Sequence, residues 1–299
     1  MTDSSYPRQG AEPDAQEQVE ICPATAHTAD RPEALAQTRA ALRDVVPRLV
    51  TLVRRIPDPN LASIGTWTAG DVAAHLSHSF HADTDALAGR PVPEAVVTKA
   101  GIAEATAKIL TEDRERDPAV LADRIATLAE GFDDVTSRSR TAAVEWLQGI
   151  RLPPSAVAGH LLNECLIHGH DIATATGRPW PIQRPHALLA IEGFVLPLIA
   201  ALPPTAFVNQ EKAGSVRARI ELRLRGGQRT VMVLDGGCLT LDAPGAPDVD
   251  ASISADPAAF QLLFIGRRGV CKPILEGKLA AWGKRPWKLT RLLSVMSPP

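Results

Sequence analysis

The sequence predicts an α+β chain of two domains, an up-down helical bundle followed by an antiparallel sheet of about four strands with helices packed on one face. Three observations carry this. Apolar residues recur at helical spacing from residue 32 to about 202, the period then switches to two, and 299 residues at 45% hydrophobic and 22% charged content are enough for two cores.

Residues 1–31 are polar, with scattered Pro and no apolar stripe, so they predict a disordered tail that cannot offset the entropy of ordering. From Pro32, the residues Leu35, Leu42, Val45, Val46, Leu49, Leu52 and Val53 keep helical spacing until "IPDPN" stops it. A second helix opens at "TWTAGD", with Thr68 as N-cap and Asp71 three residues on as a carboxylate variant of the capping box. It carries Val72, His75, Leu76 and His78. Further helices are predicted at about 95–111 and about 117–148, the latter ending at "WLQG". The segment "RLPPSAVAGHLLNECLIHGHDIATATG" begins with prolines suited to a first turn and ends at Gly177, suited to a C-cap. One more apolar helix, about 186–202, closes this half, in which no segment reads convincingly as a strand.

The alternating "VRARIELRLRG" opens the second half, and "RTVMVLDGG", "CLTLDA" and "VDASISAD" follow as strands. Helical segments return at "PAAFQLLFIG", "LEGKLAAWG" and "PWKLTRLLSVM". The predicted domains are 32–205 and 206–299.

A net charge of −2, from 32 basic and 34 acidic residues, gives no basic field for phosphate backbones or anionic membranes, so nucleic acid is not an expected partner. No stretch reaches the roughly 20 apolar residues of a spanning helix, and no leader pattern opens the chain, which predicts a cytoplasmic protein. Cys22, Cys165, Cys238 and Cys271 form no C-x-x-C motif and are expected to be reduced.

The chemistry concentrates in "NECLIHGHDIATATGRPW", residues 163–180. Residues four apart on a helix are offset by only about 40°, so Glu164 and His168 project side by side, and Asp171 stays on their stripe. His170 is about 200° round from His168 and points elsewhere. A Glu and a His at this spacing form either a solvated pair or half of a metal site, which needs a ligand from a facing helix. His75, on the side shared with Val72 and Leu76, is the best candidate, or else a satisfied core histidine. Two His and one Glu would leave a fourth position open, as in catalytic zinc sites. His160 could compete as a ligand or lie at the surface, and Cys165 reads as a small buried hydrophobe.

"TWTAGDVAAHL" together with "HLLNECLIHGHDIATATGRPW" resembles the mycothiol-dependent maleylpyruvate isomerase family, a branch of the DinB-like helical bundles. The resemblance runs over about residues 33–205 and rests on a Trp-Thr-x-x-Asp-Val-x-x-His-Leu helix start and a later Glu-x-x-x-His-x-x-Asp helix. It implies that His75, Glu164 and His168 bind zinc and that mycothiol is the thiol cofactor. Residues 256–283 carry a D-P-x-x-F-x-x-L and G-K-L-x-x-x-G cadence that resembles the SCP2-like sterol-carrier fold, which in such enzymes implies a cover over the bundle rather than lipid carriage.

The resemblance thus implies a zinc-dependent enzyme acting on a small electrophile with a metal-activated thiol. It would be either a cis-trans isomerase of a maleylpyruvate-like enedioate or a thiol S-transferase. Substrate carboxylates call for guanidinium partners, for which Arg267 and Arg268 in "IGRRG" and Arg178 after the metal helix are candidates, each otherwise a surface arginine. Asp171 is expected to accept from a ligand histidine or to contact the thiol, while Trp67 and Trp180 are expected to pack. The competing readings are a lipid or hydrophobic-ligand carrier built on the second domain, and a hydrolase in which zinc activates water.

Overall fold

The structure is a computed structural model that describes residues 32–91, 99–139, 141–147, 149–203 and 206–296. The expected tail 1–31, the first residues of the helix expected at 95–111, and residues 204–205 at the end of the first expected domain lie outside them.

Helix α1 (Pro32–Arg54) buries Leu42, Val45, Leu49 and Val53. A short hairpin, β1 (Ala62–Ile64) and β2 (Trp67–Thr68), leads into α2 (Ala69–Leu87). The capping box forms as the sequence predicts: Asp71 N donates to Thr68 Oγ1 at 3.1 Å, and Thr68 N donates to Asp71 Oδ2 at 2.8 Å. After α3 (Lys99–Glu112), α4 begins at Pro118 behind the Asp117 N-cap and ends at Arg138.

The expected run of α4 to residue 148 is corrected. Strands β3 (Val144–Leu147) and β4 (Ile150–Leu152) pair antiparallel, with Gly149 at φ +78° just before β4. A short apolar segment around Trp146 fits either period, and its pairing with Ile150–Leu152 decides between them.

Helix α5 (Pro154–Ala175) is buried along most of its length and packs on α1 and α2. It ends as predicted: Gly177 is left-handed at φ +64°, and Arg178 N donates to Ala173 O at 2.8 Å. Residues 184–201 follow as α6 (Arg184–Ala190), a π-helical turn (Ile191–Val195) and α7 (Leu196–Ala201). By length and composition this segment of 18 residues could cross a membrane, but Ala187, Ala190, Ile191, Phe194 and Leu198 are buried in the core. A glycine eases its close approach to α5: a Cβ at Gly159 would lie 3.1 Å from Gly193 C and from Phe194 Cβ, tighter than ordinary van der Waals contact.

The second half begins with the single turn α8 (Gln210–Ala213), then β5 (Ala218–Leu224), β6 (Arg229–Asp235), β7 (Cys238–Asp242) and β8 (Ala251–Ala255). Next come α9 (Pro257–Phe264), the short α10 (Cys271–Leu275), β9 (Leu279–Trp282) and α11 (Trp287–Val295). The sheet order is β7-β6-β5-β8-β9, with β5 and β8 parallel and the other pairs antiparallel. The expected α+β organisation and sheet are present, with a fifth strand and one parallel pair in place of an all-antiparallel sheet of about four strands, and β9 replaces the helix expected at "LEGKLAAWG". The outer edge of β8 offers unpaired backbone groups, and Leu279–Trp282 pair with them from Ala255↔Leu279 to Ser252↔Trp282.

Ile220, Leu222 and Leu224 of β5, with Leu234, Leu241 and Ile253, face a core continuous with the bundle. The opposite face carries Arg219, Glu221 and Arg223, where Glu221 Oε2 accepts from Ser252 Oγ at 3.0 Å. Gln261 Nε2 donates to Asn163 Oδ1 at 2.8 Å and Arg184 Nε to Asp256 Oδ2 at 3.0 Å, tying α9 and its cap to the helical half. Cys165 and Cys271 are free thiols, but Cys238 is disulfide-bonded, against the expectation of reduced cysteines throughout.

Candidate metal centre

Three donors from two facing helices meet in the bundle. His75 Nε2 lies 2.9 Å from Glu164 Oε2, and His168 Nε2 lies 3.4 Å from the same oxygen. The donor atoms of His75, Glu164 and His168 all fall within 4.8 Å of one another. A tetrahedral ion with ligand bonds of about 2.0–2.1 Å spaces its ligand atoms about 3.4 Å apart, so this donor set fits one zinc-sized ion. Its composition, two imidazoles and a carboxylate, suits that metal as well. The i, i+4 spacing places Glu164 beside His168, and burial of Val72 and Leu76 turns His75 toward them.

Electrostatics holds the cluster together. Burial opposes charge on Glu164, but His168, His75 and His160 outweigh it and keep the carboxyl well below the usual range. Burial also lowers the His168 pKa, yet Glu164 and Asp171 prevail and push it up to about 9. His75 is dominated by burial and titrates below an ordinary histidine. Cys165, fully buried beside Glu164, has its thiol pushed well up, first by burial.

Asp171 joins the two halves of the chain. His168 Nδ1 lies 3.0 Å from Asp171 Oδ2, which assigns Nδ1 as the donor and leaves Nε2 for the cluster. Arg267, from the loop after α9, donates through Nε to Oδ1 and through Nη2 to Oδ2, both at 3.0 Å, and its Nη1 donates to Ile265 O. The structure therefore attaches Arg267 to the cluster through Asp171. Arg268 stands outside, its Nη1 3.9 Å from Glu276 Oε2, and Arg178 is exposed beyond the end of α5. His170 is not among the converging donors, and burial holds its pKa below that of an ordinary histidine.

Trp67 closes one side, its ring centroid 5.1 Å from that of His75 and 6.3 Å from that of His168. Trp180 packs against the far side of α5, and its Nε1 donates to Leu166 O at 3.0 Å. Asp71 serves α2 as its cap and is held by Arg116 Nε at 2.8 Å.

A second buried group adjoins the cluster and was not foreseen. Asp83 accepts from Trp146 Nε1 at 2.8 Å and faces His160 Nδ1 at 2.7 Å, leaving His160 Nε2 toward Glu164 Oε1 at 3.8 Å. His160 is thus neither surface nor one of the three converging donors. The spacing of Asp83, two turns beyond His75 on α2, was the available signal, but its partner Trp146 sits on strand β3, which the helical reading missed. Beside His75 and His160 opens a cavity of about 160 Å³, walled mainly by α2, α3 and β3.

Residues 61–173 match the model of the family described as mycothiol maleylpyruvate isomerase N-terminal domain. No curated protein matches the chain in sequence. Among solved structures, the crystal structure of the mycothiol-dependent maleylpyruvate isomerase is similar at 16% identity and a TM-score of 0.45, covering 79% of this chain and 89% of that one. A mutant of that isomerase gives 16% and 0.47, covering 83% and 91%. The stereoselective inverting sec-alkylsulfatase from Pseudomonas sp. gives 15% and 0.32, covering 49% of this chain and 24% of that one. The helical domain that carries the His75, Glu164 and His168 cluster belongs to the mycothiol maleylpyruvate isomerase N-terminal domain family.

Proposed function

We propose that this chain is a zinc-dependent enzyme that uses a low-molecular-weight thiol, mycothiol, against a small electrophile, as a cis-trans isomerase or as an S-transferase. The observation that carries this reading is the convergence of His75, Glu164 and His168 donors from α2 and α5 on one ion-sized position. The thiol is inferred from the family to which the bundle belongs.

Zn²⁺ held there would supply a Lewis-acidic centre of net charge +1 with an open position, enough to keep a thiol as its thiolate near neutral pH. The chain's own residues do the rest. Asp171 holds the Nδ1 proton of His168 and so aims Nε2 at the ion, while Arg267 keeps that carboxylate ionised and oriented. Asp83 likewise holds the Nδ1 proton of His160, and Trp67 shields the imidazoles from water. Cys165 is fully buried with its pKa raised, so the cysteine beside the cluster is not suited to act as the nucleophile, which supports a thiol supplied from outside the protein.

The carrier alternative would need an open apolar tunnel in the second half, whereas Ile220, Leu222, Leu234, Leu241 and Ile253 pack into the common core. The test is elemental analysis of the purified chain followed by calorimetric titration with mycothiol. One equivalent of transition metal and metal-dependent thiol binding are expected. A protein with no metal and no affinity for one would sink the reading, and turnover without added thiol would turn it toward a hydrolase.

A further inference from the structure

We propose that the β9 rim of the sheet, from the loop after α9 to the first turn of α11, docks on an anionic lipid surface. The proposal is independent of the metal cluster and its thiol.

The net charge of −2 conceals an uneven distribution. Residues 268–291 carry seven Lys or Arg against one acid, Glu276, a net charge of +6 that leaves −8 for the rest of the chain. Glu276 is shared by Arg268, Lys272 and Lys278, and the buried Asp250 holds Arg285 and Lys288, so two carboxylates face seven cations. Apolar side chains surface at the same place. Of the six large apolar side chains exposed among the described residues, five are Val270, Ile274, Leu275, Trp282 and Trp287, with Leu275 87% exposed.

These residues border one edge strand. β9 ends the sheet order; Lys278 N donates to Pro273 O at 2.8 Å just before it, and Arg285 N donates to Asp250 O at 2.8 Å just after it. Helix α10 and the first turn of α11 therefore flank its two ends. Arg223 lies over the Trp282 ring at 5.1 Å, and Arg225 Nη2 donates to Gly277 O at 2.7 Å, which carries the positive charge onto the neighbouring sheet face.

The mixture selects the occupant. Lysine guards an edge strand against pairing, but exposed Leu and Trp do the reverse and call for a cover. A second copy presenting the same rim is repelled by like charge. Protein interfaces are depleted in Lys and enriched in Arg, whereas this rim holds four of the seven lysines of an Arg-rich chain. A nucleic acid would use the cations and the Trp rings but not Val270, Ile274 and Leu275. An anionic bilayer surface uses all of them: Trp settles at headgroup depth, the aliphatic side chains enter the acyl boundary, and Lys and Arg reach the phosphates.

The test mixes the full chain with vesicles of phosphatidylcholine, alone or in equal parts with phosphatidylglycerol, and reads co-flotation and the blue shift of tryptophan emission. Binding to the mixed vesicles, release by salt and little binding to the neutral ones are expected. Leu275→Ser and, separately, Lys272→Gln with Lys284→Gln should each weaken binding at least about tenfold, with circular dichroism unchanged because these side chains are exposed. Single-stranded RNA and polyglutamate serve as competing probes. Failure to bind the mixed vesicles, native affinity in folded Leu275→Ser, or tighter binding of RNA or polyglutamate than of vesicles would overturn the proposal. So would a lipid-free dimer that Leu275→Ser dissociates. None of these readouts requires metal, thiol or turnover, so the outcome is read separately from the proposed function.

Discussion

Replacing Asp171 perturbs the metal site without touching a ligand atom, and the structure ranks two variants in advance. The carboxylate accepts three hydrogen bonds, one from His168 Nδ1 and two from Arg267, and its side chain is only 5% exposed. In Asp171→Asn the amide oxygen can occupy the Oδ2 position, keeping the bonds from His168 and Arg267 Nη2, while the amide NH₂ opposes Arg267 Nε. In Asp171→Ala the histidine loses its acceptor altogether, and the guanidinium loses its counter-charge. Loss of such a supporting carboxylate lowers metal affinity by about 10–100-fold, or about 1.4–2.7 kcal/mol. Asparagine should fall near the lower bound and alanine near the upper.

Stability falls too. Breaking a buried pair costs about 3–5 kcal/mol, but Arg267 is 23% exposed and water can take over part of its solvation, so about 2–3 kcal/mol is expected for the alanine variant. Competition for Zn²⁺ against a fluorescent chelator gives the affinities, and urea denaturation gives the stabilities. A folded Asp171→Ala protein that binds Zn²⁺ as tightly as the native chain would refute the assignment of Asp171 as the group that orients His168.

Glu164→Gln removes the anionic donor shared by both histidines and should cost more than about 100-fold in Zn²⁺ affinity, above the range for supporting residues, as the same chelator assay would register. The metal-free site also titrates. With His168 raised to about 9, Glu164 ionised and His75 neutral, binding of Zn²⁺ near pH 7.5 should release about one proton, measurable by calorimetry in buffers of different ionisation enthalpy. Zn²⁺ affinity should accordingly rise with pH and level off above about 9. In the metal-free chain the sign is opposite. The His168 pKa is raised on folding, so its contribution to stability is complete below about 6.5 and is lost as pH rises through about 9, as denaturation at several pH values would show. Finally, Gly169→Ala sets a Cβ 2.4 Å from Cε2 and Cζ2 of Trp180, and displacement of that indole should cost about 1–3 kcal/mol with a shift in tryptophan emission.

Much of the site was legible because helices are local. The i, i+4 pair Glu164 and His168, the elimination of His170, the Thr68 and Asp71 cap and the Gly177 terminus follow from 3.6 residues per turn and from end effects within a single segment. Proximity of His75 to that pair was inferred from a core-facing pattern together with a family resemblance, and the structure brings it to 2.9 Å from Glu164. Errors gathered where conformation depends on a partner segment. The strands Val144–Leu147 and Leu279–Trp282 are short apolar runs that pair with Ile150–Leu152, directly after the first, and with Ala251–Ala255, well before the second. Asp83 was overlooked for the same reason, since its value as an acceptor depends on Trp146, 63 residues later.

By itself the sequence determined two halves of different period, the bundle helices with their caps, and the stripe that carries Glu164, His168 and Asp171. Only the tertiary structure decided the parallel pairing of β5 with β8, the docking of Arg267 on Asp171, and the cavity beside the cluster between α2, α3 and β3. The reason is the range of the interactions. Periodicity and capping act within a few residues and leave a trace in the local pattern, whereas charge pairing and cavity shape arise between segments whose separation in the chain carries no record of their contact.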